Sequence, residues 1–135
     1  MEFIVAGAPR SANANPRSRR RWRGRVSEVA REQLVGAGGP TDQDLSVLII
    51  YFYQGETALD VDNIAKSLLD ALKGVVFRDD HQVSELLVRK TRLSAGVSLT
   101  GASPFLLDAI ERMSQERSDF VYVRAAPTPD HGRIP

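Results

Sequence analysis

Apolar residues recur along this chain with two different periods, and the changes between them outline the elements. Residues 2–8 read as a strand, and residues 45–53, rich in β-branched and aromatic side chains, as a central strand. A loop through Pro16 separates the first strand from a helix over 17–35, and the glycine-rich stretch 36–40 is a turn. In the segment 61–73, Val61, Ile64, Ala65, Leu68 and Leu72 fall at three- and four-residue steps, the stripe of a helix with one face on the core. Gly74 is a natural stop for that helix, and Val75, Val76 and Phe77 read as a short extended run. Residues 83–93 predict another strand. Ser103 and Pro104 open a helix to about Gln115, serine at the cap and proline at the first helical position. Residues 120–124 predict a last short strand, and 125–135, with three prolines, a mobile tail. No internal repeat is evident. This order of elements predicts a small α/β or α+β domain.

Composition narrows the class. A chain of 135 residues is one domain that buries roughly two thirds of its unfolded surface. The absence of cysteine excludes disulfides and thiolate metal sites and is compatible with a reducing cytoplasm. The longest apolar stretch, 45–53, is too short to span a bilayer. The apolar run at 3–8 is short and its basic residues follow it, unlike a signal peptide. A soluble cytoplasmic protein is therefore expected.

A net charge of +1 conceals an uneven distribution. Arg10, Arg17, Arg19, Arg20, Arg21, Arg23 and Arg25 have no acidic residue among them and form a candidate DNA-binding set. Arginine's fixed fork suits phosphate better than lysine does. The same run also reads as solvated surface, and Trp22 within it as a stacking platform or as an anchor to the core.

The candidate chemistry lies in residues 60–80. Asp60 and Asp62 stand at the start of the helix over 61–73, and Asp79 and Asp80 follow its end. The helix is about 20 Å long at ~1.5 Å per residue. Six extended residues from Gly74 cover about the same distance at ~3.3 Å each. A chain that reverses at Gly74 brings Asp79 or Asp80 level with Asp60 and Asp62, the oxygen-rich arrangement that Mg²⁺ needs. Lys66, one turn after Asp62, reaches toward the same ligand. Each residue also has an ordinary reading, Asp60 or Asp62 as a helix cap worth ~1 kcal/mol and Asp62 with Lys66 as an exposed ion pair. Neither reading accounts for Asp79 and Asp80. Carboxylates ~4 Å apart at an effective dielectric near 20 repel by about 4 kcal/mol per pair, so convergence calls for a cation.

The segment DVDNIAKSLLDALKGVVFRDDHQV resembles the signature of the RusA-type crossover junction endodeoxyribonucleases: D-x-D-N-x-x-K, then D-A-L, then D-D-x-x-V. Asp60, Asp62, Asn63, Lys66, Asp70, Ala71, Leu72, Asp79, Asp80 and Val83 fall on it. The likeness is strongest from Asp60 to about Lys90 and looser over the N-terminal strand, the loop with Pro9, Asn13, Asn15 and Pro16, and the basic helix. It implies an α+β domain over residues 1–124, a mixed sheet packed against helices, with 125–135 as its tail. It also implies a Mg²⁺-dependent homodimer, with Mn²⁺ as substitute, that resolves four-way (Holliday) junctions by paired nicks in DNA recombination and repair. Asp60, Asp62 and Asp80 are then the metal-binding and catalytic carboxylates, and Lys66 assists at the phosphate. Asp79 is the weaker candidate of its pair, and Asn63 and Asp70 are supporting. His81 reads as a neighbour of the site, structural or exposed, and His131 as part of the tail. Two features depart from the pattern: a helix between residues 99 and 119, and Gly55, Glu56, Thr57 and Ala58 where some members are basic. Both bear on substrate shape, so other branched DNA stays open. So do a non-catalytic DNA-architecture protein and an enzyme acting on RNA or nucleotides.

Overall fold

The computed structural model describes residues 1–11, 14–96 and 100–129. Asn13, Leu99 and His131 lie outside them. Strand β2 (Leu45–Tyr53) sends Leu45, Val47, Ile49 and Tyr51 into one core and Ile50 and Phe52 into another, so it is buried on both faces. Around it β1 (Glu2–Ala6), β3 (Val83–Arg92) and β4 (Phe120–Pro127) complete a sheet in the order β1-β4-β2-β3. β4 runs antiparallel to both β1 and β2, and β3 parallel to β2. A parallel pair requires a crossover, and α2 (Val61–Leu72) provides it. α2 and α1 (Pro16–Gln33) cover one face of the sheet, and α3 (Pro104–Gln115) covers Ile50, Phe52, Phe120 and Tyr122 on the other. The result is an α+β domain, one of the two classes that the order of elements predicts, with the mixed sheet that the resemblance implies. No helix among the described residues is long and apolar enough to cross a membrane.

Helix starts follow local chemistry. The Asn15 side chain accepts from Ser18 N at 2.9 Å with Pro16 at the first helical position of α1. Ser103 Oγ accepts from Leu106 N at 3.1 Å, and its hydroxyl donates to Glu2 Oε2 at 2.8 Å, tying α3 to β1. Tyr122 also donates to Glu2; burial first, and then that carboxylate, push the Tyr122 phenol up to about 12.

Boundaries differ where tertiary contacts overrule local pattern. β1 ends at Ala6 because Gly7, at φ 104°, turns the chain and donates to Asp119 O at 2.7 Å. α1 ends at Gln33 and β3 at Arg92. Residues 75–77 are not an extended run. Val75 N and Val76 N both donate to Leu72 O, and the three apolar side chains are buried beneath the end of α2 while Val76 O accepts from Thr41 N. β4 continues three residues past the expected 124, where Ala125 N donates to Met1 O at 2.9 Å. Residues 125–127 are thus strand, and 130–135 of the expected tail lie outside the described residues.

Gly74 makes the turn after α2 possible at φ 82°, and a Cβ there meets no atom within 4 Å. The cost of a side chain is therefore backbone strain alone. Gly74→Ala is expected to lower the unfolding free energy by about 1–2 kcal/mol in urea titration, with an unchanged m-value.

Candidate active site

Burial of Ile64, Leu68, Ala71 and Leu72 fixes the roll of α2 and turns Asn63, Lys66, Ser67 and Asp70 toward α1. On α1 the buried residues are Trp22, Val26, Ser27 and Ala30, so Arg19 and Arg23, one turn apart, flank that seam. Ser27 Oγ, buried, donates to Ala71 O at 2.8 Å and joins the two helices. Arg10, Arg19 and Arg23 with the four α2 residues enclose a cleft of about 50 Å³. Asp70 Oδ2 lies 3.8 Å from Arg23 Nη2 and 3.6 Å from Lys66 Nζ. Lys66 thus pairs forward with Asp70 and not with Asp62.

The remaining arginines divide by helical position. Arg17, Arg20 and Arg21 are exposed, and the Arg25 guanidinium lies over Gly7. Trp22 is 4 % exposed and anchors the helix to the core; it offers no stacking surface.

Asp60 and Asp62 are exposed at the entrance to α2. Asp60 occupies the cap position and its carbonyl accepts from Ile64 N at 3.1 Å, yet its carboxylate caps nothing. Among the described residues neither aspartate has a hydrogen-bond or ion-pair partner for its side chain. The ordinary readings, cap and ion pair, are not what these residues do. Their backbone is nonetheless well held. Asp119 accepts from Gln54 N at 2.9 Å and from the Tyr51 hydroxyl at 3.1 Å, and Lys90 Nζ donates to Leu59 O at 3.0 Å. Arg92, over the Tyr53 ring, pairs with Glu56 at 3.6 Å. Burial, reinforced by Asp119, pushes the Tyr51 phenol above its ordinary range, so it remains a donor.

Asp79 and Asp80 lie at the opposite end of the crossover. A 3₁₀ turn, Asp80–Gln82, leads into β3, whose Val83 pairs with Leu45 at the start of β2. Leu59, by contrast, is tied to Lys90 near the far end of β3. The twelve residues of α2 alone separate the two pairs of aspartates by about 18 Å. The chain does not carry Asp80 back beside Asp60 and Asp62, because the segment after Gly74 turns under α2. Among the described residues no three His, Asp or Glu side chains are gathered as a metal cage.

Within that second pair, Asp79 is committed to structure. It accepts from His81 N at 3.3 Å and lies 3.2 Å from His81 Nδ1, and the His81 ring followed by its backbone N–H holds the carboxyl below the usual carboxylate range. Asp80 is exposed and has no side-chain partner among the described residues. Gln82, 5 % exposed, organises this end: its Oε1 accepts from Arg78 N and Asp79 N, and its Nε2 donates to Thr41 O and Gln43 O. Arg78 pairs with Asp42 beside it.

The donor set of Asp60 and Asp62 fits a hard divalent cation. Mg²⁺ is commonly held by one or two carboxylates with water and substrate phosphate completing the shell, and these two side chains are free hard-oxygen donors. The sequence reading missed Ser67, Gln82 and Asp119. Ser67 was recoverable, since it falls one turn after Asn63 on the same helix face. Gln82 and Asp119 act through contacts distant in sequence, for which no local signal exists.

Residues 8–100 match the family model described as Endodeoxyribonuclease RusA, a span that includes the cleft and all four aspartates. A comparison with curated proteins found no match.

Removing the Gln82 side chain leaves two part-buried backbone amides and two part-buried carbonyls without their partner. Gln82→Ala is expected to cost about 2–4 kcal/mol in chemical denaturation, and Gln82→Glu to be no better tolerated, because a carboxylate cannot donate to Thr41 O and Gln43 O. Asp79, titrated by NMR, should ionise below a free aspartate and return upward in His81→Ala. Because its folded value is depressed, the stability this cap adds is present above the ordinary aspartate range and is lost as pH falls through the depressed value.

Proposed function

The chain belongs to the RusA endodeoxyribonuclease family, and from that premise we propose that it is a divalent-metal-dependent, structure-selective DNA endonuclease acting on four-way junctions. The observation that carries this reading is the uncommitted carboxylate pair Asp60 and Asp62, one helical turn from Lys66 at a cleft walled by arginine. When bound, a divalent cation supplies a water of lowered pKa and neutralises charge on the phosphate. Asp60 and Asp62 would hold that ion. Lys66, oriented by Asp70, offsets charge developing on the non-bridging oxygens. Arg17, Arg20 and Arg21, exposed on α1, bind the flanking backbone without reading bases, so affinity falls steeply with salt.

The position of Asp80 bears on assembly. An ion shared by Asp60, Asp62 and Asp80 requires Asp80 from a second copy, because about 18 Å of helix separates them within one chain. A homodimer with two-fold symmetry supplies that contact twice and matches the approximate symmetry of a four-way junction, giving two opposed nicks.

Labelled four-way junction, duplex, flap and single-stranded RNA, incubated with Mg²⁺ or chelator, test the reading. Cutting of the junction with Mg²⁺ is expected, along with loss of cutting by more than about 100-fold in Asp62→Asn at retained binding. Junction binding without cutting points to an architectural protein, and product from RNA alone to a different enzyme. Mixing Asp62→Asn with Asp80→Asn tests the shared site. If Asp80 acts across the dimer, the mixed dimer has one intact site and makes single nicks; if it acts within its own chain, the mixture is inactive.

A further inference from the structure

The cleft between α1 and α2 holds more positive charge than it has negative charge to face. Arg10, Arg19, Arg23 and Lys66 line it, and Asp70 is the one carboxylate among the described residues on its walls. Asp70 is shared between Arg23 and Lys66 at 3.8 and 3.6 Å. Arg10 and Arg19 have no such counter-ion among the described ion pairs. Among the described residues the Nε of Arg19 is moreover buried with no hydrogen-bond partner, an unfavourable state for a charged donor. The α2 wall adds the neutral donors of Asn63 and Ser67.

We propose that this cleft is an oxyanion subsite, separate from Asp60 and Asp62, that grips one phosphate group through Arg19 and Arg23, with Asp70 as the resident counter-ion and Lys66 left to the neighbouring phosphate at the carboxylates. The size sets the ligand. A buried water needs roughly 10–15 Å³, so about 50 Å³ has room for the oxygens of one phosphate. Asp70 is the partner of Arg23 in the free protein, and the incoming oxygens replace it in that pair. That the phosphate belongs to nucleic acid rests on the nuclease reading; the oxyanion chemistry of the cleft does not.

The test is titration of the full chain, without divalent metal, while the arginine Nε–H signals are followed by NMR. Inorganic phosphate should shift Arg19 and Arg23 saturably and leave Arg17, Arg20 and Arg21 in place. Arg19→Lys keeps the charge and removes the buried Nε donor, and should weaken binding at least tenfold; Asp70→Asn removes the competing anion and should tighten it severalfold. Two further probes separate the sources. A dithymidine with one internal phosphodiester reports backbone recognition, and thymidine 5′-monophosphate reports recognition of a strand end. Asp60→Asn/Asp62→Asn, inactive as a nuclease on the reading above, should bind phosphate as the parent does. Equal shifts at all the arginines, weaker binding in Asp70→Asn, loss of phosphate binding in the double aspartate variant, or binding of neither nucleotide probe each overturn the proposal.

Discussion

Everything at the candidate site depends on how α2 is seated. Ile64, Leu68 and Leu72 are fully buried and admit one rotation of the helix against β2, and that rotation aims the remaining side chains. Asn63, Lys66, Ser67 and Asp70 then meet α1, and Asp60 and Asp62 are left in solvent at the helix start. The buried Ser27–Ala71 hydrogen bond sets the spacing of the two helices and hence the width of the arginine cleft. Apolar packing, which carries no chemistry itself, supplies the geometry that the charged residues use.

Charge is distributed so that the two ends of α2 do different work. The entrance leaves carboxylates unpaired, where the positive end of the helix dipole favours negative charge, and its backbone is braced from β3 and β4 by Lys90 and Asp119. At the far end the acidic residues are partly absorbed by structure: Asp79 caps the 3₁₀ turn, and Asp42 pairs with Arg78. Asp80 has no side-chain partner among the described residues. The salt bridges at Asp70 are partly exposed and worth little to stability, which leaves them free to exchange partners.

Much of this was legible in the sequence because it was written in short periods. The bounds of β2 are as expected, α2 differs by one residue, and α3 starts and ends where Ser103 and Gln115 place it. The stripe Ile64, Leu68, Leu72 identified the core face of α2, and the D-x-D-N-x-x-K spacing picked out the helix start. What was illegible was path. Val75, Val76 and Phe77 suit a strand and equally suit a buried turn, and only Thr41 and the end of α2 decide between them. That choice is why Asp80 is far from Asp62. Trp22 was likewise ambiguous until α1 was docked, when the indole proved to lie in the core.

The insertion of β4 between β1 and β2 has a consequence for when the protein becomes competent. Among the described residues β1 has no other neighbour in the sheet, so it waits for β4, distant in sequence, before it pairs. α1 packs on β1 as well as on α2, so a nascent chain ending before Phe120 possesses the arginines and the aspartates while β1, one of the two supports of α1, is still unpaired. The seat of the arginine-bearing helix is thereby completed only once β4 has been made.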